Sequence, residues 1–254
     1  MVAVVTREVQ SVILLLVGGA LLRISAGDVF MRYVKESMRP WLLISGVLLV
    51  LAGVFVLVDV LRAARRGQVP DDDPAVVDVD EHAADQSHEH GHHGPRSAWL
   101  LVLPVAAIFL VAPPALGAFT AGREASSVAQ PADSQAPPLP PGNPVTVMLA
   151  DYAARAVWDD GRTLKGRTVD MTGFVTPNPA GGWWLTRLQL TCCAADAIPT
   201  KIHPVGGPES LPANTWVKVV GEWVPGGGTQ SDTAIPWVKV NSWTKVDEPR
   251  NPYE

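Results

Sequence analysis

The only two cysteines of the chain stand side by side, as Cys192 and Cys193, within RLQLTCCAADAIPTKIHPV (Arg187 to Val205). Asp196 follows four residues after the first and three after the second, and His203 lies further along the same stretch. Two thiols, a carboxylate and an imidazole together form a donor set that suits a zinc or cuprous ion. In a strand, neighbouring side chains point to opposite faces, so adjacent cysteines can serve one site only where the backbone turns. Thr191 ends the apolar alternation, and CCAADA reads as a turn or short helix. On a helical turn, spacings of three and four put Asp196 on the face of either thiol. Cys192, Cys193, Asp196 and His203 are therefore the candidate metal ligands.

Other chemistries fit the same residues. A vicinal disulfide would be strained, labile and oxidising, which makes a redox pair the second reading. Cysteine is also a small hydrophobe, and both thiols could simply pack in a core. Asp196 could serve as a turn or helix cap, and His203 as an ordinary strand residue. Arg187, amid apolar neighbours, is placed to pair with Asp196 and support the site, which would make the aspartate structural. CC is not CxxC, and no thioredoxin-like βαβ pattern surrounds it, so an oxidoreductase is the weaker case and no catalytic residue is expected.

A second concentration of donors lies in PDDDPAVVDVDEHAADQSHEHGHHG (Pro70 to Gly94), which holds His82, His88, His90, His92 and His93. Imidazoles suit zinc, nickel and copper, but nothing in this stretch fixes a geometry. It is acidic, poor in large apolar residues and unable to form a core. Weak, fast-exchanging metal capture and a merely solvated loop are both compatible with it.

These sites must be positioned by a chain of 254 residues with a net charge of −5. That balance does not mark a nucleic-acid binder. Two cysteines build no disulfide framework and match no spaced zinc finger. Mean hydropathy is +0.16 despite 23 prolines and 22 glycines, because apolar residues are gathered into a few runs. WLLISGVLLVLAGVFVLV, residues 41–58, is uncharged and long enough to cross a bilayer. SAWLLVLPVAAIFLVAPPALGAF, residues 97–119, is a second uncharged run whose prolines a membrane helix tolerates better than a soluble one. Residues 9–24 form a third candidate, with Arg23 snorkelling to the interface, although a signal peptide would also begin with such a segment.

The expected organisation is thus two spans within residues 1–66, an acidic His-rich loop at 67–96, and a third span at 97–119. A Pro/Ala/Ser spacer at 120–144 would hold a soluble domain, residues 145–254, away from the bilayer. The Lys/Arg bias of the short loops favours an internal N-terminus and an extracytoplasmic C-terminal domain.

That last domain opens with an amphipathic helix in VTVMLADYAARAVWDD. Five short strands follow, at 168–176, 183–190, 200–205, 215–224 and 237–246, separated by PNPAGG, GGPES and PGGGTQ. Gly173 and Gly221 fall inside strands, where a barrel bends or a backbone comes close. The fold expectation is a membrane α-helical N-terminal half plus a C-terminal all-β, small OB-like barrel with a short preceding helix; a half-open sandwich is the alternative. Balanced charges argue against oligonucleotide binding by such a barrel.

MTGFV (171–175), LTRLQLTCCAADAIP (185–199), WVKVVGEW (216–223) and the closing PRNPYE (249–254) resemble the YcgQ-like bacterial membrane proteins. RYV (32–34) followed by WLLISGVLLVLAG is similar too, and CCAADA is the most specific segment. The resemblance implies an auxiliary subunit of a two-component permease, working beside a larger membrane partner. It also implies that Cys192, Cys193, Ala194, Ala195, Asp196 and Ala197 form a shared site. The expectation that follows is a multi-pass cell-membrane subunit that binds or hands over a transition metal, zinc before copper. The rivals are a membrane-tethered thiol redox protein and a purely structural docking subunit.

Overall fold

A computed structural model describes residues 7–65, 114–131 and 136–254. The chain divides into two compact units, one holding residues 1–23 and 41–113, the other residues 24–40 and 114–254. The expected third span, in its portion 97–113, and the His-rich stretch with its five histidines lie outside the described residues.

In the first unit the apolar runs become helices α1 (Arg7–Ala26) and α2 (Arg39–Arg65). Both are long and apolar enough to cross a membrane. Only 17% and 11% of their apolar windows are buried, and Leu48, Leu51 and Phe55 face outward. Glycines bring the two helices together: a Cβ at Gly46 would come 2.9 Å from the Leu22 side chain, and one at Gly53 equally close to Leu15. Small residues at such contacts let helix backbones approach.

The second unit contains α3 (Ala118–Arg123), the two-residue β1 (Val145–Thr146) and α4 (Leu149–Trp158). Strands β2 (Thr168–Pro177), β3 (Trp183–Gln189), β4 (Ile198–Val205), β5 (Trp216–Val224) and β6 (Trp237–Lys245) follow. The strand order is β1-β2-β3-β4-β6-β5, and β5 returns to pair with β2. Five strands therefore close into a barrel, with β4 and β6 parallel and the other barrel pairs antiparallel. The preceding helix and the closed five-strand barrel match the expectation, and the half-open sandwich is excluded.

Alternating side chains fill the interior with Val169, Met171, Leu185, Ile202, Val217, Val219 and Val238, against Leu149, Tyr152 and Ala156 of α4. β2 is buried almost continuously because its outer face is covered as well, Phe174 packing with Ala118, Ala121, Leu188 and Tyr253. The two strand glycines do what their placement implied. A Cβ at Gly173 would lie 2.7 Å from the Thr186 carbonyl oxygen, and Gly221 sits at a β-bulge against the Lys239 carbonyl. Bulges of this kind bend a strand to close a barrel.

The expected spacer at 120–144 is corrected by the fold. Ser127 donates its amide to Pro199 O at 2.8 Å and Val128 to Asp232 O at 2.7 Å. Those acceptors lie at the start of β4 and just before β6, where the two strands are not yet paired, so the segment fills the open end of the seam between them. Val128 and Leu139 are buried. The ammonium of buried Lys201 reaches Glu124 O at 2.7 Å, and Arg155 reaches Pro137 O at 2.6 Å. Polar composition suggested a free linker, but a few apolar anchors and a row of backbone bonds to the barrel make it a strap. Residues 114–119 likewise belong to this unit, with Ala115 and Leu116 packed beside Tyr253.

Candidate metal site

The cysteine loop connects β3 to β4. After Gln189 the chain leaves the sheet, and Ala194–Asp196 form one turn of 3-10 helix. Asp196 organises that turn. Its carboxylate accepts the amides of Thr191 at 2.9 Å, Cys192 at 2.7 Å and Cys193 at 3.2 Å. Three successive N–H groups aimed at one anion form a backbone nest. The cap reading of Asp196 and its proximity to the thiols are thus both realised by one geometry.

One ligand atom from each of Cys192, Cys193 and Asp196 lies within 4.8 Å of the others. Cys192 is exposed, Cys193 half-buried, and both thiols are free. The electrostatics are set by the carboxylate. The Cys192 thiol, hydrogen-bonded to Asp196 and to Cys193, is pushed up to about 12. The Asp196 carboxyl is held at about 2, first by the Cys192 thiol and then by the backbone amides, which outweigh its partial desolvation. A thiol so protonated is a poor nucleophile.

The donors nevertheless fit a soft divalent or cuprous ion. An ionised carboxylate offers about four lone-pair positions, and the three amides leave one, which the Cys192 S–H occupies. A cation that displaces the protons of both thiols would find two thiolates and a free carboxylate position on one partly exposed face. Three protein ligands leave a tetrahedral ion one open position. Beside the loop a cleft of about 430 Å³, lined by Lys35, Glu36, Leu190, Asn251 and Tyr253, offers room for a further group.

His203 does not join this cluster. It lies five residues into β4 from Ile198, roughly 16 Å along the strand. Its ring sits on Trp237, with centroids 5.6 Å apart. The expectation that it completes the ligand set is corrected by strand length alone. Arg187 does not pair with Asp196 either. It points to the other end of the chain, donating to Asn251 O at 2.7 Å and lying over the Trp216 ring at 4.9 Å. Its role is to hold the NPYE tail.

That tail and the connection between α1 and α2 are the supports that spacing rules did not reveal. Val34 forms an antiparallel bridge with Cys193. Lys35 donates its amide to Cys192 O at 3.1 Å, and Ala194 donates to Tyr33 O at 2.7 Å. The Tyr253 hydroxyl donates to Arg32 O at 2.9 Å and accepts the Leu116 amide at 2.9 Å. Glu254 caps α4, its two carboxylate oxygens taking the amides of Leu149 and Ala150 at 3.0 and 3.1 Å. The available signal was coincidence: RYV and PRNPYE were already grouped with CCAADA by resemblance, and in the fold they touch it or brace the same end of the barrel.

Residues 151–254 match the DUF1980 C-terminal domain. The match runs from α4 through the cysteine loop to the tail and fits the YcgQ-like resemblance over the barrel. No curated protein and no solved structure matches the chain.

Proposed function

We propose that this chain is a membrane-anchored accessory subunit whose barrel domain binds a transition metal ion, zinc before copper, and exchanges it with a partner permease. The observation that carries the reading is the partly exposed cluster of Cys192, Cys193 and Asp196, with ligand atoms within 4.8 Å. A site with all four positions filled by its own chain holds an ion permanently, as structural zinc sites do. Three donors with an open position suit capture and release, because an incoming ligand can attach before the others let go. Binding costs both thiol protons, so the ion is held more tightly at higher pH. The raised thiol disfavours the redox alternative, which needs an accessible thiolate.

In this reading α1 and α2 cross the membrane. That their connection belongs to the same compact unit as the barrel supports reading both as lying on one side of the bilayer. A chain that leaves α2 on the opposite side has to return before residue 114, and the apolar stretch 97–113 is the segment available for a third span. Lys/Arg bias then makes the barrel extracytoplasmic, and the His-rich stretch a second, weaker binding segment across the membrane.

The deciding experiment is zinc and copper content of the full chain purified in detergent under reducing conditions, beside the Cys192→Ser/Cys193→Ser double variant. One ion per chain in the parent and none in the variant is expected. No ion in either after loading at pH 8 refutes metal exchange by this domain.

A further inference from the structure

The cysteine loop is tied to the connection between α1 and α2. Lys35, whose amide bonds Cys192 O, precedes Arg39, the first residue of α2, by four residues. Fully extended, four residues span at most about 14 Å. Tyr33, the acceptor from Ala194, follows the end of α1 at Ala26 by seven residues. The base of the hairpin closes there, with the Arg39 guanidinium donating to Ser25 O at 3.1 Å. Leu116 is bound by the Tyr253 hydroxyl, which also holds Arg32 O.

The side chains on these segments have the character of a membrane-facing surface. Val29, between the helices, is 42% exposed, and Ile198, two residues past Asp196, 45%. Arg32 and Lys35, on the same connection as Val29, are exposed as well. Exposed apolar groups beside cations are what the lipid headgroup layer accommodates. The opposite end of the barrel, the turn around Ala180, is separated from the cysteine loop by the whole of β3 (Trp183–Gln189), about 20 Å of strand.

We infer that the Cys192–Asp196 loop is held in the headgroup layer of the bilayer, so that its ion is exchanged with a membrane-embedded protein and not with a soluble carrier. The location rests on the reading of α1 and α2 as spans; the exchange partner rests in addition on the metal reading above. The two parts are separable, because the location is measured without metal.

The chain has no other cysteine, so a nitroxide attached to Cys192 in the Cys193→Ser variant reports the loop alone. The comparison is Ala180→Cys in the cysteine-free chain, and Val29→Cys in the same background gives a second reporter, on the connection bonded to the loop, should the loop label disturb folding. Each full chain is reconstituted into vesicles of zwitterionic and anionic phospholipid. Relaxation by lipid-partitioned oxygen is then compared with relaxation by a water-soluble nickel chelate. The oxygen-to-chelate ratio is expected to be several-fold higher at Cys192 and at Val29→Cys than at Ala180→Cys. Equal ratios at all three positions overturn the interfacial location, whatever the zinc content of the unlabelled chain. High ratios in a chain that binds no zinc keep the location and remove the exchange partner.

Discussion

Replacing Asp196 by Asn tests the electrostatics of the site directly. Asn keeps a carbonyl acceptor for the loop amides but carries no charge, so it removes the main cause that pushes Cys192 to about 12. In the Cys193→Ser background a single thiol is read. If its pKa falls toward the ordinary value of about 8.5–9, the thiolate fraction at pH 8 rises from about one part in ten thousand to about one in ten. Part of that gain is returned, because a thiolate of lower pKa is less nucleophilic: with a Brønsted coefficient of about 0.45, three units cost roughly twenty-fold per thiolate. The net expectation is an alkylation rate at pH 8 about thirty- to fifty-fold faster in Cys193→Ser/Asp196→Asn than in Cys193→Ser. Iodoacetamide kinetics and thiolate absorbance across pH 6–12 give both quantities. A Cys193→Ser chain whose thiol already titrates near 9, or an Asn variant that leaves its midpoint in place, would refute the assignment of Asp196 as the controlling charge.

Zinc affinity is expected to climb steeply between pH 6 and 8, by about tenfold per unit for each thiol proton released; a flat profile in competition titrations with a chromophoric chelator would exclude thiolate ligation. Lys35→Pro removes the amide bonded to Cys192 O and is expected to loosen the loop, weakening zinc binding severalfold while the barrel keeps its circular dichroism spectrum. Tyr253→Phe removes the partner of the half-buried Leu116 amide and of the Arg32 carbonyl, costing about 1 kcal/mol, to be read as a lower Tm and faster proteolysis between Ala26 and Arg39. Glu254 is raised by burial, which outweighs its two amide partners. Its contribution to stability is therefore fully present below its unfolded value and lost as pH rises through the raised folded value. Glu254→Gln is expected to flatten the pH–stability curve in that window, and an unchanged curve would contradict the burial.

What was legible in the sequence was periodic or local. All five barrel strands lie where period-two alternation between turn clusters placed them, their ends displaced by two residues at most, as at Ile198. The approach of Asp196 to both cysteines followed from turn geometry. The misplaced residues had partners remote in sequence. Arg187 answers to Asn251, sixty-four positions away, and no local rule distinguishes that acceptor from nearby Asp196. His203 was grouped with the thiols because it is close in the chain, but an extended strand converts a short separation into a long distance. The strap escaped because proline and alanine carry little periodicity, and Val128 and Leu139 are isolated anchors in a segment of polar composition.

The strap also sets how the domain can meet other molecules. A binding module on a slack tether samples a volume that grows with linker length, and its effective concentration at a distant target is tuned by that length. Here the residues that would have formed the tether are spent in the wall of the barrel, from Glu124 through Val128 to Leu139. Among the described residues this segment supplies no slack tether. In the proposed membrane-anchored reading, the domain's encounters are governed by lateral diffusion of the whole molecule, and its occupancy by the two-dimensional density of whatever it meets. Inserting a flexible segment within the strap would not lengthen a leash; it would open the seam between β4 and β6.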